Sequence, residues 1–181
     1  MEVIHKLTSQ FQGQGIIVIK LRDLLTLLPN HIKNYEIKTL FPPTEIGSIT
    51  LVDQIVLLSL VKLISPRHIL EIGTFQGYTT SLLLKNTNST IISTIDLPNT
   101  LDSTDNSTFE KSSILKCGKD NDEYLKLIQS ESGDFYLNDL NEIKNKRLNL
   151  IKSNSKTYDY NKLPYPIDFA FIDGGHDYET I

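Results

Sequence analysis

The amino-acid sequence predicts an α/β domain built on a doubly wound, mainly parallel sheet. Two observations carry that expectation. Short apolar runs recur after position 65, and helix-compatible stretches alternate with them, which is the order of β-α-β units. The runs are continuously apolar rather than alternating, as in Phe169-Ala170-Phe171-Ile172, and this suits strands covered on both faces. With 181 residues, of which 39% are hydrophobic and 22% charged, the chain has ordinary globular composition and can bury one substantial core.

The elements follow in order. Residues 1–43 read as a mixed N-terminal segment, in which Gly15 to Ile19 suits a short strand and Leu21 to Leu28 a helix ending at Pro29. Pro42-Pro43 breaks the chain, and residues 44–181 are expected to form the main domain. Thr50-Leu51-Val52-Asp53 has the spacing of a capping box, with Asp in place of the commoner Glu, and opens a helix to about Ile64. Pro66 ends it. His68 to Ile72 is the first strand and runs straight into Gly73. A helix over Tyr78 to Lys85 and a second strand over Thr90 to Ile95 come next. The polar stretch from Pro98 to Ser113 reads as a surface insertion, followed by helices over Asn121 to Gln129 and Leu137 to Lys144. Leu148 to Lys152 and Ile167 to Ile172 are the third and fourth strands.

Charge and cysteine content narrow the partners. A net charge of −4 favours neither nucleic acid nor an anionic membrane. The most apolar stretch, Ile49 to Ile64, carries Asp53 and Lys62 and is short for a bilayer crossing. Met1 to Lys6 does not read as a secretory leader, and the single cysteine, Cys117, permits no intrachain disulfide or thiolate zinc site. A cytoplasmic protein whose main partner is neither nucleic acid nor an anionic membrane is the expectation.

In parallel α/β sheets ligands bind beyond the carboxyl ends of the strands. The first such end is Glu71-Ile72-Gly73-Thr74-Phe75-Gln76-Gly77-Tyr78-Thr79-Thr80. Gly73 lacks a Cβ and lets a ligand approach the backbone, while Gly77 permits a tight entry into a helix whose free N–H groups face outward. Glu71 can accept hydrogen bonds or balance an ammonium group. The pattern is not G-x-G-x-x-G, because Ile69 and Glu71 stand before Gly73, and a pyrophosphate loop disfavours a carboxylate at its mouth.

Ile69 to Thr80 resembles motif I of class I S-adenosylmethionine-dependent methyltransferases, closest to small-molecule O-methyltransferases of the catechol type and their bacterial relatives acting on sugars and natural products. The resemblance implies a Rossmann-like methyltransferase fold in which Glu71, Gly73 and Gly77 line the methionine half of the cofactor, with Thr74 beside them. Asp96 ends the second strand, where a carboxylate can accept both ribose hydroxyls or, alternatively, cap a turn. In Ser153-Asn154-Ser155 the resemblance puts the adenine-side turn, so that Asn154 offers its amide oxygen to the adenine amino group or simply forms the turn.

Asp173-Gly174-Gly175-His176-Asp177-Tyr178-Glu179 resembles the acidic turn after the family's fourth strand. By that resemblance Asp173 lies where the methyl meets its acceptor, and in metal-dependent relatives the matching Asp ligates magnesium, which would orient an acceptor hydroxyl and lower its pKa. His176 is a candidate general base, or a turn residue bonded to backbone. Family members continue past this point with a fifth strand and a hairpin. The expectation is therefore a fold truncated after its fourth strand, with an apolar strand edge open to self-association. Transfer to a small-molecule hydroxyl needs no nucleophilic Ser or Cys, since an activated methyl comes with the cofactor. A nicotinamide-dependent oxidoreductase and a non-catalytic nucleoside-binding domain are the alternatives.

Overall fold

A computed structural model describes residues 20–27, 30, 36–41, 49–97, 135–140 and 147–174. The strand expected at Gly15 to Ile19, the insertion after Pro98, the helix at Asn121 to Gln129 and His176 all lie outside the described residues. Helix α1 spans Leu21–Leu27 and α2 spans Leu51–Ile64. Strand β1 is His68–Ile72, helix α3 is Tyr78–Asn86, β2 is Ile91–Asp96, β3 is Leu148–Lys152 and β4 is Phe169–Ile172. Short 3-10 turns cover Phe135–Leu140 and Tyr160–Lys162.

Local chemistry sets the boundaries. Thr50 caps α2, accepting from the Asp53 N–H while the Asp53 carboxylate accepts from the Thr50 N–H, so the capping box is complete. Ser65 then turns left-handed at φ 49° and Pro66 prevents continuation. The fourth strand begins at Phe169, two residues later than the apolar pattern suggests, because Asp168 serves a different purpose. Its carboxylate accepts the N–H groups of Arg67 at 2.8 Å and His68 at 3.2 Å, closing the start of β1. The helix expected at Leu137 to Lys144 is a 3-10 turn that begins at Phe135, and residues 141–146 are not described.

Among the described residues the four strands form one parallel sheet in the order β3-β2-β1-β4. The chain therefore runs outward from β1 to β2 and β3, then crosses to the other side of β1. That reversal defines the switch point of a doubly wound sheet. All five residues of β1 are buried, as a strand flanked on both edges and covered on both faces requires. On one face Ile69 and Ile92 pack against Leu57, Leu58 and Val61 of α2 and Leu82 and Leu83 of α3. On the other, Leu70, Ile72 and Ile95 are covered by Ile151, Tyr158 and Leu163. No helix among the described residues is long and apolar enough to cross a membrane.

Arg147, just before β3, fastens α3 to the sheet. Its guanidinium donates to the carbonyls of Leu84 and Thr87, each at 2.8 Å, and so answers the open carbonyls at the end of that helix. Replacing Arg147 with Met should lower the unfolding free energy by about 1.5–3 kcal/mol, read from urea titrations. Lys should recover only part of this, because one ammonium cannot reproduce the forked geometry.

Candidate functional site

The site is built where β1 and β4 end side by side. The Asp173 N–H donates to Ile72 O at 2.9 Å, and the Gly73 N–H donates to Ile95 O at the same distance, so three strand ends meet at Gly73. Gly73 has φ +99°, and a Cβ there would lie 2.1 Å from the Asp173 carbonyl oxygen. Its missing side chain is thus demanded first by the backbone of the neighbouring strand. This reason for the glycine differs from the ligand approach that the sequence suggests.

The turn that follows is tightly held. Phe75 is left-handed at φ 48°, a costly conformation for an aromatic residue and one that clusters at functional sites. Its N–H donates to Asp96 Oδ2 at 2.7 Å, which fixes the strained residue. The Gly77 N–H closes on Thr74 O at 2.7 Å, and Gly77 adopts φ +81° as the cap of α3. A Cβ on Gly77 would meet Leu137 Cγ at 2.4 Å, so the 3-10 turn at Phe135–Leu140 presses directly on this corner. The Tyr136 N–H donates to Gln76 O at 3.1 Å and completes the clamp.

Glu71 points into the layer between the sheet and α3, wholly buried. The Thr80 hydroxyl donates to Glu71 Oε2, while Oε1 has no hydrogen-bond partner among the described residues. Beside it the Thr74 and Thr94 hydroxyls bond to each other at 2.6 Å. Burial pushes the Glu71 carboxyl from its ordinary 4.5 up to about 7. The hydroxyls of Thr80 and Thr94 pull it down, and the charges of Asp96 and Asp173 push it up again. Three carboxyl groups therefore sit within electrostatic reach at one rim of the sheet.

Asp96 is partly buried at the end of β2, with Oδ1 accepting the Leu97 N–H at 2.8 Å. Asn154 lies past the end of β3, exposed, and its amide oxygen accepts the Lys156 N–H at 2.9 Å in a turn of its own making. Ser153 N–H donates to Asp96 O at 2.7 Å and ties that turn to β2. Glu71, Gly73, Thr74, Gly77, Asp96, Asn154 and Asp173 thus all occur at or just beyond the carboxyl ends of the strands. Among the described residues no three His, Cys, Asp or Glu side chains form a group able to hold a metal ion.

Sequence reasoning overlooked Thr80, Thr94, Phe75, Tyr78 and Gln54. Gln54 carried a visible signal. It stands in one helical stripe with Leu57, Leu58 and Val61, and a polar residue in such a stripe needs a buried partner.

The methyltransferase-domain family model matches residues 70–181, more than half the chain, and the chain belongs to that family. Among solved structures it is similar to an O-methyltransferase from Bacillus cereus in complex with SAH, at 20% identity and a TM-score of 0.42, over 92% of this chain and 60% of that one. It is also similar to the O-methyltransferase TomG from Streptomyces achromogenes, involved in tomaymycin synthesis and in complex with SAM, at 20% identity and 0.38, over 70% and 45%. An SAH-bound methyltransferase from Podospora anserina, PaMTH1, is similar at 14% identity and 0.44, over 95% and 58%. The chain thus spans 60% or less of the length of each. No curated protein matches it.

Two outcomes test this geometry. Gly73→Ala should cost about 3 kcal/mol or more, because the new methyl group collides with backbone that cannot rotate away. A thermal melt unchanged from wild type would contradict the close approach of β1 and β4. The second outcome concerns pH. The folded state keeps a proton on Glu71 that the unfolded state loses above its ordinary pKa of 4.5. Its contribution is therefore complete below that value and lost as pH rises through about 7. Glu71→Gln should remove up to about 3 kcal/mol of pH dependence, seen in denaturant midpoints collected across this window.

Proposed function

We propose that this chain is the cofactor-binding part of an S-adenosylmethionine-dependent methyltransferase that acts on a small-molecule hydroxyl in the cytoplasm. The observation that carries the reading is Asp96, a carboxylate at the end of the second parallel strand, holding the strained turn that begins at Gly73. Membership of the methyltransferase-domain family supports it.

The residues suit such a cofactor. Asp96, which accepts the N–H groups of Phe75 and Leu97, stands at the strand end where a carboxylate can accept ribose hydroxyls. Glu71 Oε1, buried and lacking a donor among the described residues, matches the ammonium group of the methionine half. Gly73, Thr74 and Gly77 shape the turn beside it, and Asn154 borders the adenine. The bound sulfonium supplies a methyl group already activated for transfer. The protein's part is alignment, which can be worth about 7–11 kcal/mol when geometry is good. Asp173, exposed at the end of β4, orients the acceptor hydroxyl and takes up its proton, with His176 as the alternative base. Magnesium has no part in this reading. The outer edge of β4, unpaired among the described residues, is a candidate surface for self-association.

Calorimetric titration tests the reading. The chain should bind S-adenosylhomocysteine and show no comparable binding of NAD. Asp96→Asn keeps one acceptor oxygen for the turn and should weaken S-adenosylhomocysteine about tenfold or more. Equal affinity in wild type and variant would refute the ribose assignment, and preference for NAD would favour an oxidoreductase.

A further inference from the structure

Residues 36–41 lie along α3 without joining the sheet, and two side-chain tethers hold them. At the far end of the helix Asn86 grips Lys38, donating to its carbonyl at 2.9 Å and accepting its N–H at 2.8 Å. At the near end the Gln54 amide accepts the Leu40 N–H at 3.1 Å and donates to the Tyr78 hydroxyl at 2.6 Å. That hydroxyl donates in turn to the carbonyls of Leu40 and Phe41, at 3.1 and 3.2 Å. From Tyr78 to Asn86 the helix rises about 12 Å, so the tethers act at opposite ends.

The near tether sits against the candidate site. Tyr78 directly follows Gly77 and opens α3. Its ring meets the edge of Tyr136 at 5.2 Å, and the Tyr136 N–H clamps Gln76 within the turn. Gln54 is wholly buried and Tyr78 nearly so, yet both spend their polar groups on this one segment. Apolar side chains would cover α3 as well, at less desolvation cost, but would not set the position of residues 40 and 41. Burial also raises the Tyr78 pKa above its ordinary 10.0, so the hydroxyl remains a donor near neutral pH. Phe41, with its carbonyl fixed, is 96% exposed and offers an uncovered aromatic surface beside the first turn of the helix.

We propose that Tyr78 and Gln54 are positioning residues for the cofactor, holding residues 36–41 beside the start of α3 as a wall of the crevice. The inference rests on the methyltransferase reading above. Neither residue needs to touch the cofactor; both act through the backbone of Leu40 and Phe41.

Calorimetric titration of the full chain with S-adenosylhomocysteine, alongside thermal melts, tests it. Tyr78→Phe and the nearly isosteric Gln54→Met should each weaken binding about five- to tenfold. Asn86→Ala frees the same segment at its far end and should lower the melting temperature while leaving affinity within about twofold. The chain has no Trp, so Phe41→Trp supplies a sole reporter whose emission should change when S-adenosylhomocysteine binds. Equal weakening by Asn86→Ala would overturn the proposal, since the segment would then matter only to the fold. A loss in Tyr78→Phe unmatched in Gln54→Met would overturn it in favour of direct contact. A silent Trp despite binding measured by heat would remove the wall from the crevice, with the methyltransferase reading intact. No binding by the unsubstituted chain would defeat that reading itself, and this inference with it.

Discussion

The approach of β4 to the end of β1 at Gly73 governs everything built above it. Two strands that are remote in sequence are brought so close that a single methyl group would not fit between Gly73 and the Asp173 carbonyl. That contact sets the height at which both strands stop, and with it the level of Asp96 and Asp173 beside Gly73, two residues beyond Glu71. The left-handed Phe75 is held in place because Asp96 answers its N–H from the end of β2. Remove the close contact and the strained turn loses its footing. Local conformational cost here is sustained by long-range pairing.

The layer between the sheet and α3 is unusually polar for a core. Glu71, Thr74, Thr80 and Thr94 occupy space that Leu or Val would fill at lower desolvation cost. Among the described residues a hydroxyl hydrogen bond meets Glu71 on Oε2 but not on Oε1, while two like charges lie near enough to favour its protonated form. Burial and these neighbouring charges together hold the carboxyl above its ordinary range. Apolar packing beneath α3 would have avoided that desolvation cost. This is where agreement between local rules and the global fold is relaxed, as happens at sites under functional demand.

The strands were legible because β-branched runs such as Ile91-Ile92 and Ile69 with Ile72 announce themselves, and the Thr50 capping box because its chemistry is contained within four residues. Asp96 and Gly73 were legible as positions, since strand ends in such sheets are where ligands gather. The reason for Gly73 was not, because the atom that excludes a side chain belongs to residue 173, a hundred positions away. Asp168 misled for the same reason. Adjacent to an apolar run it reads as strand, whereas its carboxylate answers N–H groups at residues 67 and 68. Asn154 was legible as a turn former because the bond its amide oxygen accepts, from the Lys156 N–H, spans only two residues.

Asp168 has one more effect, at the end of the sheet opposite the rim. By fastening the N–H groups of residues 67 and 68 to the residue just before β4, it fixes which residue of β4 faces which of β1. A slip by one place would shift the strand about 3.3 Å and turn every side chain to the other face. Asp173 would then leave the rim, and its carbonyl would no longer face Gly73. Registration errors in this parallel pair are thus suppressed at one extremity, and their cost would be felt at the other. A surface carboxylate at one end of the sheet acts as the gauge that keeps the opposite ends of the two strands in alignment.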